Sequence, residues 1–265
     1  MKIVALYKVW SGEEWLKPSV ESIIDHVEKV VLLYSNVSWI GGTGNPSMGV
    51  IKDLTNKYPG KVIALRKDES NQLKHCEYGF QYIKSNIPCD YVQLIDSDEV
   101  WDNKEYEKAK EFLIKKPGYH TYRTQMYTYI KKATYRVDPL EGLKPVCFVD
   151  SKIPTLGNQP RACNLPTTTM PDVYCHHFVF VRTTFNQVLE KLVQSHVSEK
   201  QLYQQMDKWI PEVWNKLPNY NRIMFRDGLH PAIGFGASWR NLKVISAKEL
   251  PTILERYKYI YDFGS

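Results

Sequence analysis

Asp96, Asp98 and Glu99 crowd their carboxylates around Ser97, directly after the apolar run Tyr91-Val92-Gln93-Leu94-Ile95. Such a run reads as a buried strand, and open α/β sheets bind ligands at the carboxyl ends of their strands. Asp96 and Asp98 stand two apart, so strand geometry would turn both to one side. Carboxylates sharing a patch repel each other unless a proton or cation intervenes. A hard divalent ion holding a diphosphate is a physical reason to keep them together. The plain alternative is a solvated turn, where Asp and Ser are common.

The elements that must position these acids are a series of strand–helix units. Met1 to Tyr7 reads as a first, central strand, and Trp15, Leu16, Val20, Ile23, Ile24 and Val27 recur at helical spacing over 14–26. Ser11 or Gly12 stands near the cap, with Glu13 and Glu14 in the first turn, and Pro18 is tolerable only near the helix start. Lys29 to Tyr34 reads as the second strand, Ser47 to Tyr58 as a helix ended by Pro59-Gly60, and Lys61 to Leu65 as the third strand. Gln72 to Ser85 gives a third helix, with Leu73, Cys76, Phe80 and Ile83 on one side, ahead of the strand Asp90 to Ile95. This alternation predicts an α/β fold with a mostly parallel sheet flanked by helices. The glycine cluster Gly41-Gly42-Thr43-Gly44 lacks the lysine and spacing of a phosphate-gripping loop, and reads as a loop on the substrate side.

After residue 101 the character changes. A helix within 101–116 stops at Pro117-Gly118, and Tyr119 to Tyr135, rich in Thr, Tyr and Arg, favours strands. Prolines and turn residues dominate 136–171 around a short strand at Val146 to Val149. Tyr174 to Val181 reads as a strand interrupted by His176-His177, and Thr184 to Gln205 as a long helix, followed by a tail of short helices and loops. With neither an internal repeat nor a clean linker, the 265 residues read as one domain. Residues 1–101 would form a donor half. Residues 102–265 would form a mixed acceptor half with a helical C-terminal region.

Bulk properties narrow the function. At 43% hydrophobic residues the chain can bury a real core. No apolar run approaches the ~18 residues of a membrane span, and Met1 to Tyr7 is too short and too soon polar for a secretion signal. Five cysteines, at 76, 89, 147, 163 and 175, are odd in number and without a Cys-x-x-Cys pair, which points to reduced thiols and a cytoplasmic setting. A net charge of +6 suits phosphorylated ligands without singling out nucleic acid. The 18 tyrosines and 7 tryptophans supply faces that stack on sugars or bases, or fill the core.

The string Tyr91-Val92-Gln93-Leu94-Ile95-Asp96-Ser97-Asp98-Glu99, placed after three strand–helix units, resembles the GT-A fold of glycosyltransferases, family 2 in particular, with Asp96-Ser97-Asp98 as its Asp-any-Asp motif. The opening Lys8 to Ile23 is similar as well. The resemblance covers about residues 2–101, and 172–200 more loosely. It implies that Asp98 holds Mg²⁺ or Mn²⁺ on the diphosphate of a nucleotide sugar, a UDP-sugar by preference. Asp96 would contact the ribose or a metal-bound water. A histidine from Tyr174-Cys175-His176-His177-Phe178 would complete the metal shell. Neighbours on a strand face opposite ways, so only one of the two enters that site, and His176 is preferred. A buried histidine tied to backbone is the rival reading.

The chain departs from the family at several places. Where an acid often reads the base, Tyr34-Ser35-Asn36 stands instead, leaving Asn36 to bond a pyrimidine edge. Near the phosphates stand Lys74 or His75, although Lys74 equally suits a solvated helix face. The Glu-Asp pair that usually supplies the base is missing. The carboxylate candidates for that role are Glu99, Asp138, Glu141 and Asp172, with Glu141 and Asp172 leading, and each is otherwise a surface acid. Arg182 either steadies a phosphate or faces water.

The implied activity is metal-dependent, inverting sugar transfer from a nucleoside-diphosphate sugar to a hydroxyl, on a saccharide or lipid-linked saccharide. Hydroxymethylated DNA bases are a second acceptor class, although no orderly basic stripe announces DNA. A sugar-phosphate nucleotidyltransferase and a noncatalytic carbohydrate-binding protein are the rivals.

Overall fold

The computed structural model describes residues 1–10, 13–38, 46–138, 145–157, 165–195, 214–215, 222–225 and 238–263. Two compact units emerge: Met1–Gln125 with Lys144–Cys175, and Met126–Leu143 with His176–Ser265.

In the first unit β1 (Ile3–Val9), β2 (Lys29–Tyr34), β3 (Val62–Arg66) and β4 (Tyr91–Asp96) form a parallel block in the order β3-β2-β1-β4. Helices α1 (Glu13–Ile23), α2 (Met48–Lys57) and α3 (Gln72–Asn86) connect them. Every residue of β1 is buried, as expected of a central parallel strand covered on both faces. On one face Val4, Leu6, Val31, Leu33, Val92 and Leu94 pack with Cys76, Phe80 and Ile83 of α3. That helix lies close to the sheet. A Cβ on Gly79 would stand 2.7 Å from Leu6 Cδ1 and 2.9 Å from Leu33 Cδ2, so glycine permits the approach. Elsewhere the core carries polar groups that find partners: Tyr106, on α4 (Asn103–Lys115), donates its hydroxyl to Gln93 Oε1 at 2.8 Å, and Tyr7 meets Ser19 at 3.0 Å.

The sheet is mixed rather than mostly parallel, which corrects the expectation from sequence. The two-residue β5 (Glu99–Val100) follows β4, and after α4 come β6 (Thr121–Ile130), β7 (Tyr135–Asp138), β8 (Val146–Asp150) and β9 (Thr167–Phe180). Strand β8 pairs antiparallel with β4, Gln93 opposite Phe148, and β6 antiparallel with β8 across a register shift at Tyr122/Arg123. For β6 and β8 the physical reason is connection length. Parallel neighbours need crossovers of a dozen or more residues, usually helical, and no helix intervenes between β6 and β9 among the described residues.

In the second unit the strands pair antiparallel: Tyr129 of β6 faces Arg136 of β7, and β7 pairs with β11 (Ser238–Val244), which pairs with β10 (Arg222–Phe225). The helix predicted over 184–205 is described as α5, Phe185–Ser195. Three 3-10 turns, Ala247–Glu249, Thr252–Arg256 and Lys258–Asp262, close the chain, the first held by a capping box between Ser246 and Glu249.

Candidate functional site

In the first unit the site grows from strand register. Parallel pairing of β1 with β4 sets Lys8 opposite Asp96, and Lys8 Nζ lies 2.9 Å from Asp96 Oδ1, with side chains 1% and 27% exposed. The cation beside Asp96 is therefore a lysine of the chain itself, a partner that inspection of the acids alone missed. Its signal was visible: Lys8 is the lone charge within the apolar run of β1.

Strand alternation does not carry to Asp98. Strand β4 ends at Asp96, Ser97 and Asp98 form a turn, and β5 starts at Glu99. The shared face expected for Asp96 and Asp98 therefore has no strand to define it. Asp98 and Glu99 are both fully buried. The backbone oxygen of Glu99 accepts from the Ser19 hydroxyl, which in turn accepts from Tyr7. Burial, opposed by the bond to Ser19 and reinforced by the charge of Glu99, lifts the Tyr7 phenol well above its ordinary value. A base must come within about 3 Å of the proton that it takes, and Glu99 in this conformation is presented to no outside hydroxyl.

At the ends of β2 and β3 a second polar group assembles. Asp68 Oδ1 accepts the Asn36 backbone N–H at 2.9 Å, and Oδ2 accepts Arg66 Nε and Nη2 at 3.1 and 2.6 Å. Arg66 first and the Asn36 N–H second hold the Asp68 carboxyl below its ordinary value. Sequence reading named Asn36 but neither Asp68 nor Arg66, because only strand pairing brings Asn36 to them. The first turn of α3 contributes His75, fully buried. Burial, then the charge of Lys8, pushes its pKa down to about 4. Lys74 has its backbone N–H capped by Asn71 Oδ1 at 3.0 Å and its side chain exposed.

Asp172 belongs to the first unit and lies exposed in β9, with φ at 55°. This left-handed conformation is strained for a residue with a Cβ, and it follows Pro171, which has no N–H for the ladder. Lys108 Nζ reaches the Asp172 carbonyl at 3.4 Å, while Glu105 Oε2 accepts the Tyr174 N–H at 2.8 Å. Asp138 is exposed at the end of β7, in the second unit. Glu141, the glycine cluster 41–44 and the cap residues Ser11 and Gly12 lie outside the described residues.

The second unit holds His176 at 5% exposure, its Nδ1 2.8 Å from the Tyr129 hydroxyl. Tyr129 stacks on Phe178 with ring centres 4.5 Å apart, and Arg136 stands 4.5 Å over Tyr127, whose ring centre is 5.3 Å from His176. His177 is partly exposed. Arg182 is buried and donates Nε to the Val179 carbonyl at 3.1 Å, so it does not simply face water.

Among the described residues no three His, Cys, Asp or Glu side chains converge to hold a metal ion. That rules out a protein-built cage there, but Mg²⁺-like ions commonly take one or two carboxylates plus substrate phosphates and water. The donor set at the end of β4, one partly exposed and one enclosed carboxylate, suits only this second mode. Nor is any helix among the described residues long and apolar enough to cross a membrane.

No protein-family model matches the chain, and no curated protein matches it. Solved structures of similar shape include S. aureus TarS 1-349 in complex with UDP, with 10% identity over 81% of this chain and 73% of that one, at TM-score 0.45. The mannosyltransferase PcManGT from Pyrobaculum calidifontis, in complex with GDP-Man and Mn²⁺, is 9% identical over 73% of this chain and 62% of its own, at TM-score 0.47. HddC from Yersinia pseudotuberculosis is 12% identical over 64% and 89% respectively, at TM-score 0.39. With TM-scores below 0.5 these likenesses establish no function, and the functional reading is built on the residues themselves.

Proposed function

We propose that the chain is a glycosyltransferase that moves a sugar from a nucleoside-diphosphate sugar, a UDP-sugar by preference, to an acceptor hydroxyl with inversion. The observation that carries this reading is the Lys8–Asp96 pair beside the Asp98 turn, at the carboxyl ends of parallel strands. A cation and two acids placed there suit a charged, hydroxyl-rich ligand.

In the reaction the bond from the sugar's anomeric carbon to the diphosphate oxygen breaks, its electron pair leaving with the diphosphate. The acceptor oxygen bonds to that carbon from the opposite face and gives its proton to a carboxylate. Mn²⁺ or Mg²⁺ bound through Asp98, with Asp96 as a further donor candidate, would supply Lewis-acid neutralisation of the leaving diphosphate. Lys8 orients Asp96 through their 2.9 Å contact, so that carboxylate is set before the donor arrives. For the base, Asp172 and Glu141 remain the leading candidates. Exposure and a strained backbone favour Asp172 over the enclosed Glu99. The acceptor proposed is a saccharide or lipid-linked saccharide, with modified DNA as the alternative.

The test is release of nucleoside diphosphate from a panel of UDP- and GDP-sugars with Mn²⁺, with and without simple saccharide acceptors. Release that rises with acceptor is the expected result. Release no faster than a protein-free blank for every donor overturns the assignment and leaves a binding protein.

A further inference from the structure

We infer that a pair of cations on the second unit, Arg136 and Lys243, binds a phosphate group, and that the acceptor is therefore a phosphorylated saccharide. The acceptor assignment rests on the transferase reading above; the phosphate site does not. Antiparallel register sets Arg136 of β7 between Tyr129 of β6 and Lys243 of β11. Residues directly opposite share a face of the sheet. On β9, which pairs with β6, the His176 ring lies nearly parallel to that of Tyr129, with centres 5.7 Å apart. His176, Tyr129, Arg136 and Lys243 thus form one row across four strands. Val137 and Leu242, one place along, are buried, so alternation gives the two cations the other face. Lys243 is exposed and Arg136 half-buried.

Like charges directly opposite each other destabilise a sheet. Among the described residues neither cation makes an ion pair. Asp138, two places along β7, is exposed, and Glu249 accepts the Ser246 N–H at 3.1 Å. The unit as a whole is also basic. It carries 15 Lys and Arg against 10 Asp and Glu, and so most of the chain's net charge of +6. A bound anion turns the repulsion within the pair into attraction.

The donor set favours phosphate over carboxylate. Two cations leave one charge over beside a carboxylate, but they match a phosphate monoester, which carries about −1.5 to −2 near pH 7. Arg136 is held in place, 4.5 Å over the Tyr127 ring and within hydrogen-bond reach of the Tyr129 hydroxyl. Its planar fork therefore meets a ligand with little further loss of freedom, while Lys243 adds a point charge on a flexible stem. Asp138 repels phosphate but accepts hydroxyls, which suits a phosphate with a sugar attached.

The test is calorimetric titration of glucose 6-phosphate, glucuronate and glucose into wild type, Arg136→Gln and Lys243→Gln, with denaturant unfolding of each protein without ligand. Wild type is expected to bind glucose 6-phosphate, glucuronate about tenfold more weakly, and glucose not measurably. Each variant should lose about tenfold in affinity for glucose 6-phosphate, the worth of one hydrogen bond to a charged group. Lys243→Gln should unfold at the wild-type denaturant concentration or above it, because it relieves repulsion. A pair kept for the fold alone would give the reverse, unchanged affinity with a lower midpoint. That result, equal binding of glucose 6-phosphate and glucuronate, or no binding of glucose 6-phosphate overturns the inference. Binding to phosphatidylglycerol vesicles but not to glucose 6-phosphate would give the pair to a lipid headgroup and overturn the saccharide. UDP titrated into the same proteins is expected to bind all three alike. A tenfold fall in the variants would give the pair to the donor's diphosphate and overturn the acceptor assignment. Glucose 6-phosphate bound without UDP removes the transferase reading and keeps the phosphate site, whereas UDP bound without glucose 6-phosphate removes only the site.

Discussion

The ends of β1 and β4 and the face of β6 and β9 each fix a titratable side chain, by different physics. In the first unit Lys8 and Asp96 are oriented by charge across a parallel register. In the second, His176 is oriented by packing, with Tyr129 on its Nδ1 and rings of Tyr127, Tyr129 and Phe178 around it. A buried charge fails badly when its partner is removed, whereas a ring held by many small contacts degrades gradually. The first arrangement should therefore be the more brittle.

Removing the counter-charge is the largest test. Lys8→Met should cost about 3 kcal/mol, the low end for breaking a buried pair, because Asp96 is partly exposed. Lys8→Met with Asp96→Asn should recover at least half of that. Denaturant unfolding of the two single variants and the double gives the coupling directly. Additive costs would make the pair incidental and erase the contrast between the regions.

That pair also marks the limit of what the sequence discloses. The order of β1 to β4 and α1 to α3 followed from apolar runs and helical spacing, and Asp96-Ser97-Asp98 was placed at a strand end. Which strands neighbour each other is a different matter. The spatial order β3-β2-β1-β4 is set by crossover packing, so Lys8 beside Asp96 and Asp68 beside Asn36 were hidden. The turn at Ser97-Asp98 and the two-residue β5 fall below any periodicity. Pro171 argued for a loop, yet β9 runs from Thr167 through it, the strain appearing at Asp172. The mixed sheet was missed for the same reason: Thr- and Tyr-rich segments announce strands but not their direction.

The pH dependence of stability probes the same charged region. His75 has a folded pKa of about 4, against roughly 6.5 when unfolded. Above the unfolded value both states are neutral and nothing changes. As pH falls from about 6.5 to about 4, the unfolded chain takes a proton that the native ring refuses, so stability is lost across that window. Below it the loss levels off, at about 3 kcal/mol. His75→Gln should flatten this part of the curve of unfolding free energy against pH. An unchanged acid slope would place the sensitivity elsewhere.

Asp98→Asn sharpens the comparison from the side of function. The transferase reading expects a loss of at least about 100-fold in transfer, with an unfolding midpoint close to wild type because amide and carboxylate have the same shape. Unaltered turnover with ordinary Mn²⁺ dependence would end the role given to Asp98. A collapsed midpoint would instead assign this enclosed side chain to the fold.

The smallest effect belongs to the second unit, where packing shares the load. Tyr129→Phe keeps the ring and its stack on Phe178 at 4.5 Å, and removes one hydrogen bond to His176 Nδ1. A typical buried hydrogen bond contributes about 1 kcal/mol, and the expected loss of stability is of that size. The more telling readout is the ring itself. The phenol bonds one imidazole nitrogen and so biases the balance between the two tautomers, and the aromatic neighbours hold the plane. In the variant, the ¹⁵N chemical shifts of His176 should move towards a mixture of tautomers while the ring-current shifts of its carbon-bound protons stay close to wild type. If instead the ring-current shifts collapse, the hydrogen bond and not the stack was holding the ring. The second unit would then be as brittle as the first.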